Sequence, residues 1–285
     1  MVSIVIPVYN AGAFINEAVD SALMQAVEKE LILVDDASSD SSVELVIRHL
    51  CACYSGCEEK TEEACEAGCT EPDMGAGVAL SSVQSVWAGR CGDTPVRIYR
   101  NRENRGVAET RNAGVKLAQG EYISLLDADD RWAPGKLAHQ LSLLRETGAC
   151  LCNTARLLIR EDGSSTGHVI HTPERISLSM LKKTNYINCS SVLARRDVLL
   201  RYPMRHGGDA HEDYLTWLML LQEFDYVVGI DEPYLLYRLS AQGKSRNKRK
   251  ASQMTYRTYR YAGYGRLRSL WMMLPYMLHG VIKHL

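Results

Sequence analysis

Several large enzyme classes leave signatures that this 285-residue sequence lacks. No Gly-x-Gly-x-x-Gly follows its first strand-like run, which argues against a dinucleotide dehydrogenase. No Gly-x-x-x-x-Gly-Lys-Ser/Thr offers a P-loop. Met1 is followed at once by apolar residues, with no basic segment or small-residue cleavage site ahead of them, so a secretory leader is not expected. The longest membrane-like stretch, residues 269–282, falls short of the roughly 20 apolar residues that a spanning helix needs. The expected location is therefore the cytoplasm, where the nine cysteines would be mostly reduced thiols. Their odd number excludes a fully paired disulfide framework. Acidic residues are missing from the end of the chain: from Arg238 to Leu285 there are eleven Lys and Arg and no Asp or Glu. Glu58 to Asp73 carries seven acids against one lysine, so a net charge of −1 hides a tail that seeks anionic surroundings.

The chain is long enough for a substantial core, and its pattern predicts an α/β fold. Residues 2–8 (VSIVIPV) form a short β-branched run suited to a strand buried on both faces. Phe14, Ala18 and Ala22, with Ile15, Val19 and Leu23, then fall on one helical stripe. A second strand is expected at 30–36 (ELILVDD), and a helix from about Ser41, where Ser41 and Glu44 make a capping box. The alternation resumes with VRIY at 96–99, a helix over 106–118, EYISLL at 121–126 and a helix from Pro134. Four repeats of strand and helix predict a doubly wound, mostly parallel sheet. Further on, 186–199 reads as strand then helix, 211–224 as a largely buried helix and 226–230 as a strand. Residues 51–94 read as an insertion that the fold does not require, holding six of the nine cysteines.

In open sheets of this kind, ligands collect beyond the carboxyl ends of the strands. Those ends carry Tyr9 and Asn10, Asp35 and Asp36, and the acids of LLDADDRW. Asp127, Asp129 and Asp130 repel one another unless something positive sits among them. Either Asp130 caps the following helix and the others are solvated, or Asp127 and Asp129 hold a divalent cation. Magnesium and manganese take one or two carboxylates while phosphates and water complete the shell, so two aspartates at i and i+2 suffice for a metal–diphosphate site. Asp36 could accept a hydrogen bond from a nucleobase imide or be only a turn residue, and Tyr9 could stack on that base or merely pack. In His211-Glu212-Asp213, Asp213 at a helix start could act as a general base toward a hydroxyl, or serve as an N-terminal cap.

Together these pieces resemble the family-two glycosyltransferases with the GT-A fold. The resemblance rests on VSIVIPVYN, LILVDDASSD, NRGVAETRNAGVKLAQGEYISLLDADD, EDYLTWL and YRLS, in that order across roughly residues 1–240. It implies a GT-A domain over 1–240, interrupted by the insertion; the remainder, 241–285, reads from its own composition as a basic, aromatic, helical tail. The resemblance implies that Pro7, Tyr9 and Asp36 contact the nucleoside of a nucleotide-sugar donor, usually UDP. Asp127 and Asp129 would match the Asp-x-Asp for Mn2+ or Mg2+, with Asp129 the direct ligand and Asp127 nearer the ribose or a metal-bound water. Asp213 would match the base of an inverting single displacement. Arg111 and Arg238 are phosphate-side candidates, or else structural ion pairs. The acceptor would be a hydroxyl on a glycan or lipid-linked glycan, in bacterial cell-surface polysaccharide or glycolipid synthesis.

The insertion and the tail fall outside this resemblance. Cys51, Cys53, Cys57, Cys65, Cys69 and Cys91 lack a Cys-x-x-Cys pair, which argues against structural zinc and leaves a flexible excursion as the expectation. The tail interleaves Arg and Tyr before turning apolar at Trp271 to Leu274. It suits either a peripheral contact with the inner face of the plasma membrane or a terminal helix packed on the domain. No module for nucleic acid accompanies it, so none is expected as partner. Two other functions compete: nucleotidyl transfer to a sugar phosphate, which wants a basic loop after the first strand, and a non-catalytic binding protein on a degenerate GT-A fold.

Overall fold

The computed structural model describes residues 1–54, 83–239 and 248–282. Its first half comprises β1 (Val2–Val8), α1 (Ile15–Leu23), β2 (Lys29–Asp35), α2 (Ser42–Cys53), β3 (Val83–Cys91), β4 (Thr94–Asn101), α3 (Val107–Leu117) and β5 (Tyr122–Leu125). There follow β6 (Arg131–Trp132), α4 (Lys136–Thr147), β7 (Leu151–Ile159), β8 (Ser165–Ile170), β9 (Arg175–Ile176) and α5 (Leu178–Leu181). The chain then forms β10 (Leu193–Arg195), α6 (Arg196–Arg201), α7 (Glu212–Leu220), β11 (Val227–Arg238), α8 (Lys248–Tyr261) and α9 (Arg266–Ile282).

One sheet runs through the described residues in the order β3-β4-β2-β1-β5-β10-β7-β11-β6, with β8 on β7 and β9 on β11. The block β4-β2-β1-β5 is parallel, as the strand–helix alternation predicts. Short β10 runs antiparallel to β5 and β7, and β7 and β11 resume parallel pairing. Alternation along β1 sets the two layers: Val2, Ile4, Ile6 and Val8 pack with α1, α2 and α4, while Val5 packs with α3. Both faces are dry, which is why the strand has no polar alternation. Pro7 is tolerated in this central strand because β5 pairs only as far as Val5, and no ladder partner remains on that side for the missing N–H. Helix α3 lies close on β1; a Cβ at Gly114 would stand 2.2 Å from Val5 Cγ1.

The segment read as an insertion, 51–94, supplies the last turn of α2 and the edge strand β3, which pairs antiparallel with β4. Cys57, Cys65 and Cys69 lie outside the described residues. Of their neighbours in sequence, Cys51 and Cys53 are exposed on α2 and Cys91 is buried on β3. Two capping expectations are corrected. Ser41 makes no side-chain cap; Asp40 accepts from the Ser42 N–H at 3.0 Å instead and reaches Gly12 N–H with its other oxygen, which ties α2 to the loop after β1. Asp130 does not cap α4, which starts behind Gly135 in a left-handed turn with no side-chain cap.

The described part of the tail packs on the sheet layer through a cluster of tyrosines. Tyr214 and Tyr259 hydroxyls lie 3.1 Å apart and donate to the carbonyls of Leu181 and Lys182, with Tyr276 of α9 against both rings. Beyond this seam α9 carries Leu267, Leu270, Trp271 and Leu274 on an exposed stripe. No described helix is long and apolar enough to cross a membrane.

Candidate active site

The carboxyl ends of β1, β2 and β5 meet at one rim, and hydrogen bonds between loops hold it. Asn10 accepts from Ser39 N–H at 2.9 Å, while its own N–H donates to Ser38 Oγ and that of Ala11 to Ser42 Oγ. Asn10 and Ala37, immediately past β1 and β2, both adopt positive φ (49° and 57°), a conformation that non-glycine residues rarely take. The strain accompanies a shared turn that leaves Tyr9 54% exposed at the end of β1.

Asp36 is 3% exposed and anchors the start of α3. Its Oδ1 accepts from Asn101 Nδ2 and Arg105 N–H, its Oδ2 from Gly106 N–H, each at 2.8 Å. A carboxylate offers about four acceptor positions, so one on Oδ2 remains. Gly106 takes φ 85° as the residue preceding α3, the turn its lack of Cβ permits. Asp35 points elsewhere, to Arg100 and Ser38.

At the end of β5 the three aspartates divide by exposure. Asp127 and Asp129 are part-accessible, whereas Asp130 is 2% exposed. Asp130 Oδ1 accepts from the Arg238 N–H, the Ser190 hydroxyl lies near the carboxyl, and Oδ2 is buried without a well-formed hydrogen bond among the described residues. Burial, then the charge of Asp129, pushes the Asp130 pKa well up; burial, then the charge of Asp127, raises that of Asp129. Asp127 has a cation, Arg111, at 2.5 Å, but Asp129 has no ion pair among the described residues. This loop is short of positive charge. No group of three His, Cys, Asp or Glu that could hold a metal is gathered among the described residues; the part-accessible carboxylates of Asp127 and Asp129 are oxygen donors of the type a hard divalent ion takes together with phosphates and water.

Arg111, on α3, is buried and spans the rim. One terminal nitrogen meets Asp127, the other Glu212 at 3.1 Å. Burial acts to lower its pKa, but the two carboxylates outweigh that and hold it well above the usual value. Glu212 and Asp213 open α7, and Asp213 Oδ1 accepts from Tyr214 N–H at 2.7 Å. Asp213 has no ion pair among the described residues; burial, followed by the charge of Glu212, lifts its pKa to about 6. Arg238, at the end of β11, donates from Nε to the Asp129 carbonyl and pairs through Nη2 with Glu17 at 2.8 Å, its guanidinium over the Phe14 ring.

Of the residues singled out in the sequence, Asp127, Asp129, Arg111 and Arg238 thus form one connected group, with Asp213 adjacent to Arg111's partner Glu212. Asp36 joins it through α3, and Pro7 and Tyr9 through β1. Glu212, Ser190 and Arg156 were not singled out. Glu212 had a signal, since a second acid beside Asp213 at a largely buried helix start needs a cation. Ser190, whose Oγ accepts from Asp127 N–H at 3.1 Å, sits in a Cys-Ser-Ser turn that carries no such sign.

Along its whole length the chain is 28% identical over 287 residues to a Bacillus subtilis (strain 168) protein assigned to teichuronic acid biosynthesis as glycosyltransferase TuaG, covering 98% of it. It is 25% identical over 289 residues to WfgD of Escherichia coli, a UDP-Glc:alpha-D-GlcNAc-diphosphoundecaprenol beta-1,3-glucosyltransferase, covering all of this chain and 95% of that one. Among solved structures, S. aureus TarS 1-349 in complex with UDP-GlcNAc superposes with a TM-score of 0.63 at 13% identity, over 97% of this chain and 71% of that one. The mannosyltransferase PcManGT of Pyrobaculum calidifontis, in complex with GDP-Man and Mn2+, gives 0.60 at 15% identity, over 97% and 73%. These structural likenesses establish the GT-A fold. The sequence model of glycosyl transferase family 2 matches residues 3–55 and 81–202, more than half of the chain, and the chain belongs to that family.

Proposed function

We propose that this glycosyltransferase moves a sugar from a UDP donor to a hydroxyl of a lipid-linked glycan, with inversion, in the synthesis of a bacterial cell-surface polysaccharide. The observation that carries the reading is Arg111, which ties the Asp127 loop to Glu212 at the start of α7, the residue next to Asp213. Donor class and acceptor class are supported by WfgD, whose name specifies UDP-Glc and a diphosphoundecaprenol acceptor.

Tyr9 offers an exposed ring for the base, and Asp36 its remaining lone pair to the imide N–H. Pro7 shapes the floor between them. Asp129, with Asp127 beside it, would hold Mn2+ or Mg2+, which supplies charge neutralisation for a leaving diphosphate. Arg111 and Arg238, their nitrogens engaged with protein carboxylates and carbonyls, position these acids and leave the phosphates to others. Asp213 accepts the proton of the acceptor hydroxyl. That oxygen forms its bond to the anomeric carbon as the bond from carbon to the β-phosphate oxygen breaks, giving an inverted glycoside, UDP and a protonated Asp213.

The nucleotidyltransferase alternative wants a basic phosphate loop after β1. Residues 9–14 contain no base, and the N–H groups of Asn10, Ala11 and Gly12 are engaged by Ser38, Ser42 and Asp40. For location, the exposed apolar stripe of α9 and the flanking Arg266 and Arg268 suit a peripheral contact with an anionic membrane surface, where a lipid-linked acceptor resides.

Calorimetric titration of UDP with and without Mn2+ tests the donor site. Binding is expected to depend on the metal and to weaken at least about tenfold, about 1.4 kcal/mol, in Asp129→Ala. Metal-independent binding that survives the substitution would remove the assigned site.

A further inference from the structure

Strand β7 carries one guanidinium toward this site that none of the roles above uses. Arg156 is in register with Leu235 of β11 on one side and Ile170 of β8 on the other. It directly follows the point where β11 leaves and regains register, between Ile230 and Leu235, the kind of irregularity that re-aims side chains beside active sites. Its guanidinium carbon stands 5.8 Å from the centre of the Tyr237 ring. Tyr237 immediately precedes Arg238, whose N–H holds Asp130.

The groups whose charge acts on Arg156 come from three elements: Tyr237 on β11, Asp130 after β5, and Asp213 on α7, with Tyr276 of α9 beside them. Burial is the largest influence and lowers its pKa, yet a guanidinium stays charged near neutral pH. Arg111 and Arg238 share this neighbourhood, and each is satisfied by carboxylates. Arg156 is part-buried and makes no hydrogen bond or ion pair among the described residues.

A part-buried cation without an ion pair in contact is costly, and its planar fork matches a phosphate. Which phosphate it meets follows from its neighbours. The donor's diphosphate belongs with Asp127 and Asp129; Arg156 feels the charge of Asp130, which is itself buried, and of Asp213, where the acceptor hydroxyl reacts, with Tyr276 of α9 beside it. We propose that Arg156 is the acceptor-side phosphate contact, binding a phosphate that joins the acceptor sugar to its lipid. This rests on the reading of Asp213 as the acceptor-facing base and names the chemistry that the acceptor must carry.

The test uses the full chain saturated with UDP and Mn2+, so that the donor side is filled. Farnesyl phosphate, farnesol and inorganic phosphate are titrated onto the parent, Arg156→Gln and Arg156→Lys, and UDP affinity is measured for each. The parent is expected to bind farnesyl phosphate at least about tenfold more tightly than farnesol. Arg156→Gln should lose that advantage, Arg156→Lys should recover part of it, and UDP affinity should stay unchanged, which also reports that the variants fold. Inorganic phosphate competing with farnesyl phosphate on the parent but not on Arg156→Gln would identify the phosphate as the recognised group. Equal binding of farnesyl phosphate by parent and Arg156→Gln overturns the proposal, as does a tenfold loss of UDP affinity in Arg156→Gln, which would move the residue to the donor side. A parent that binds no UDP sinks the donor reading itself and this inference with it, an outcome distinct from intact UDP binding without an Arg156-dependent phosphate site.

Discussion

Replacing Asp213 with asparagine separates a catalytic carboxylate from a structural one, because the two roles predict opposite changes in stability. Burial and the neighbouring Glu212 raise the Asp213 pKa from 3.8 to about 6. A rise of about two pH units, at about 1.4 kcal/mol each, makes its ionised form about 3 kcal/mol less favourable in the folded chain than in water. The side chain is partly accessible, so solvent screening makes this an upper figure. The sign follows from linkage: with a folded pKa above the unfolded one, the group's stabilising contribution is full below 3.8 and is lost as pH rises through about 6. Asparagine is neutral throughout and keeps an oxygen for the Tyr214 N–H. Asp213→Asn should therefore be more stable than the parent at about pH 8, by up to about 3 kcal/mol, with the difference shrinking at about pH 5. Urea unfolding at both pH values, with transfer to an acceptor measured in parallel, is the assay. Transfer should fall about 10²–10⁴-fold while the unfolding midpoint at the higher pH rises. A capping carboxylate would instead lose stability on substitution. Destabilisation at high pH, or transfer at the parental rate, refutes the assignment.

Three further outcomes are expected. Arg111→Met strands Glu212 and Asp127 without their cation and should cost about 3–5 kcal/mol of unfolding free energy in urea, mostly at the more buried Glu212; a change within experimental error would show that the pairs are dispensable. Glu212→Gln removes the second contributor to the raised Asp213 pKa, so the acid limb of kcat/KM against pH should move below 6, and a limb that stays or moves up argues against Asp213 as the titrating base. Trp271→Glu combined with Leu274→Glu, on the exposed stripe of α9, should lower binding to phosphatidylglycerol vesicles at least about tenfold without altering UDP affinity; flotation with the vesicles at parental levels would exclude this face.

The parallel half of the sheet was legible because its strands are buried on both faces and its helices are amphipathic, so each shows a clear period. The edge strand β3 was not, since residues 83–91 are half exposed at the sheet margin and show no continuous apolar run. Short β10 and β6, of three and two residues, lie below the length at which a period can be seen at all. In the site, Asp127 and Asp129 stood out because like charges so close demand a cause. The cause assigned to Asp130, a helix cap, failed because nothing in the sequence reveals that the returning β11 brings the Arg238 N–H to it from 108 residues away. Arg156 left no trace for a similar reason. An arginine within LCNTARLLI reads as an edge or snorkelling residue until the register shift in β11 is known.

The adjacent acids at the start of α7 show how one short motif yields two different carboxylates. Glu212 and Asp213 occupy the same helix position to within one residue, both in the first turn of α7. What separates them is Arg111. Its Nη1 meets Glu212 at 3.1 Å, while Asp213 is left without an ion pair among the described residues and feels its neighbour's charge in addition to burial. Like charges at close range cannot both ionise cheaply, so pairing one of them raises the other toward neutrality. A carboxylate with a pKa near 6 is a stronger base than an ordinary aspartate yet still ionised at neutral pH, which is what abstraction of a hydroxyl proton asks of it. The same arginine's other nitrogen neutralises Asp127 and leaves Asp129, also raised by burial, as the carboxylate without a cation on the donor side. One buried guanidinium thus determines which acid is available at each end of the reaction.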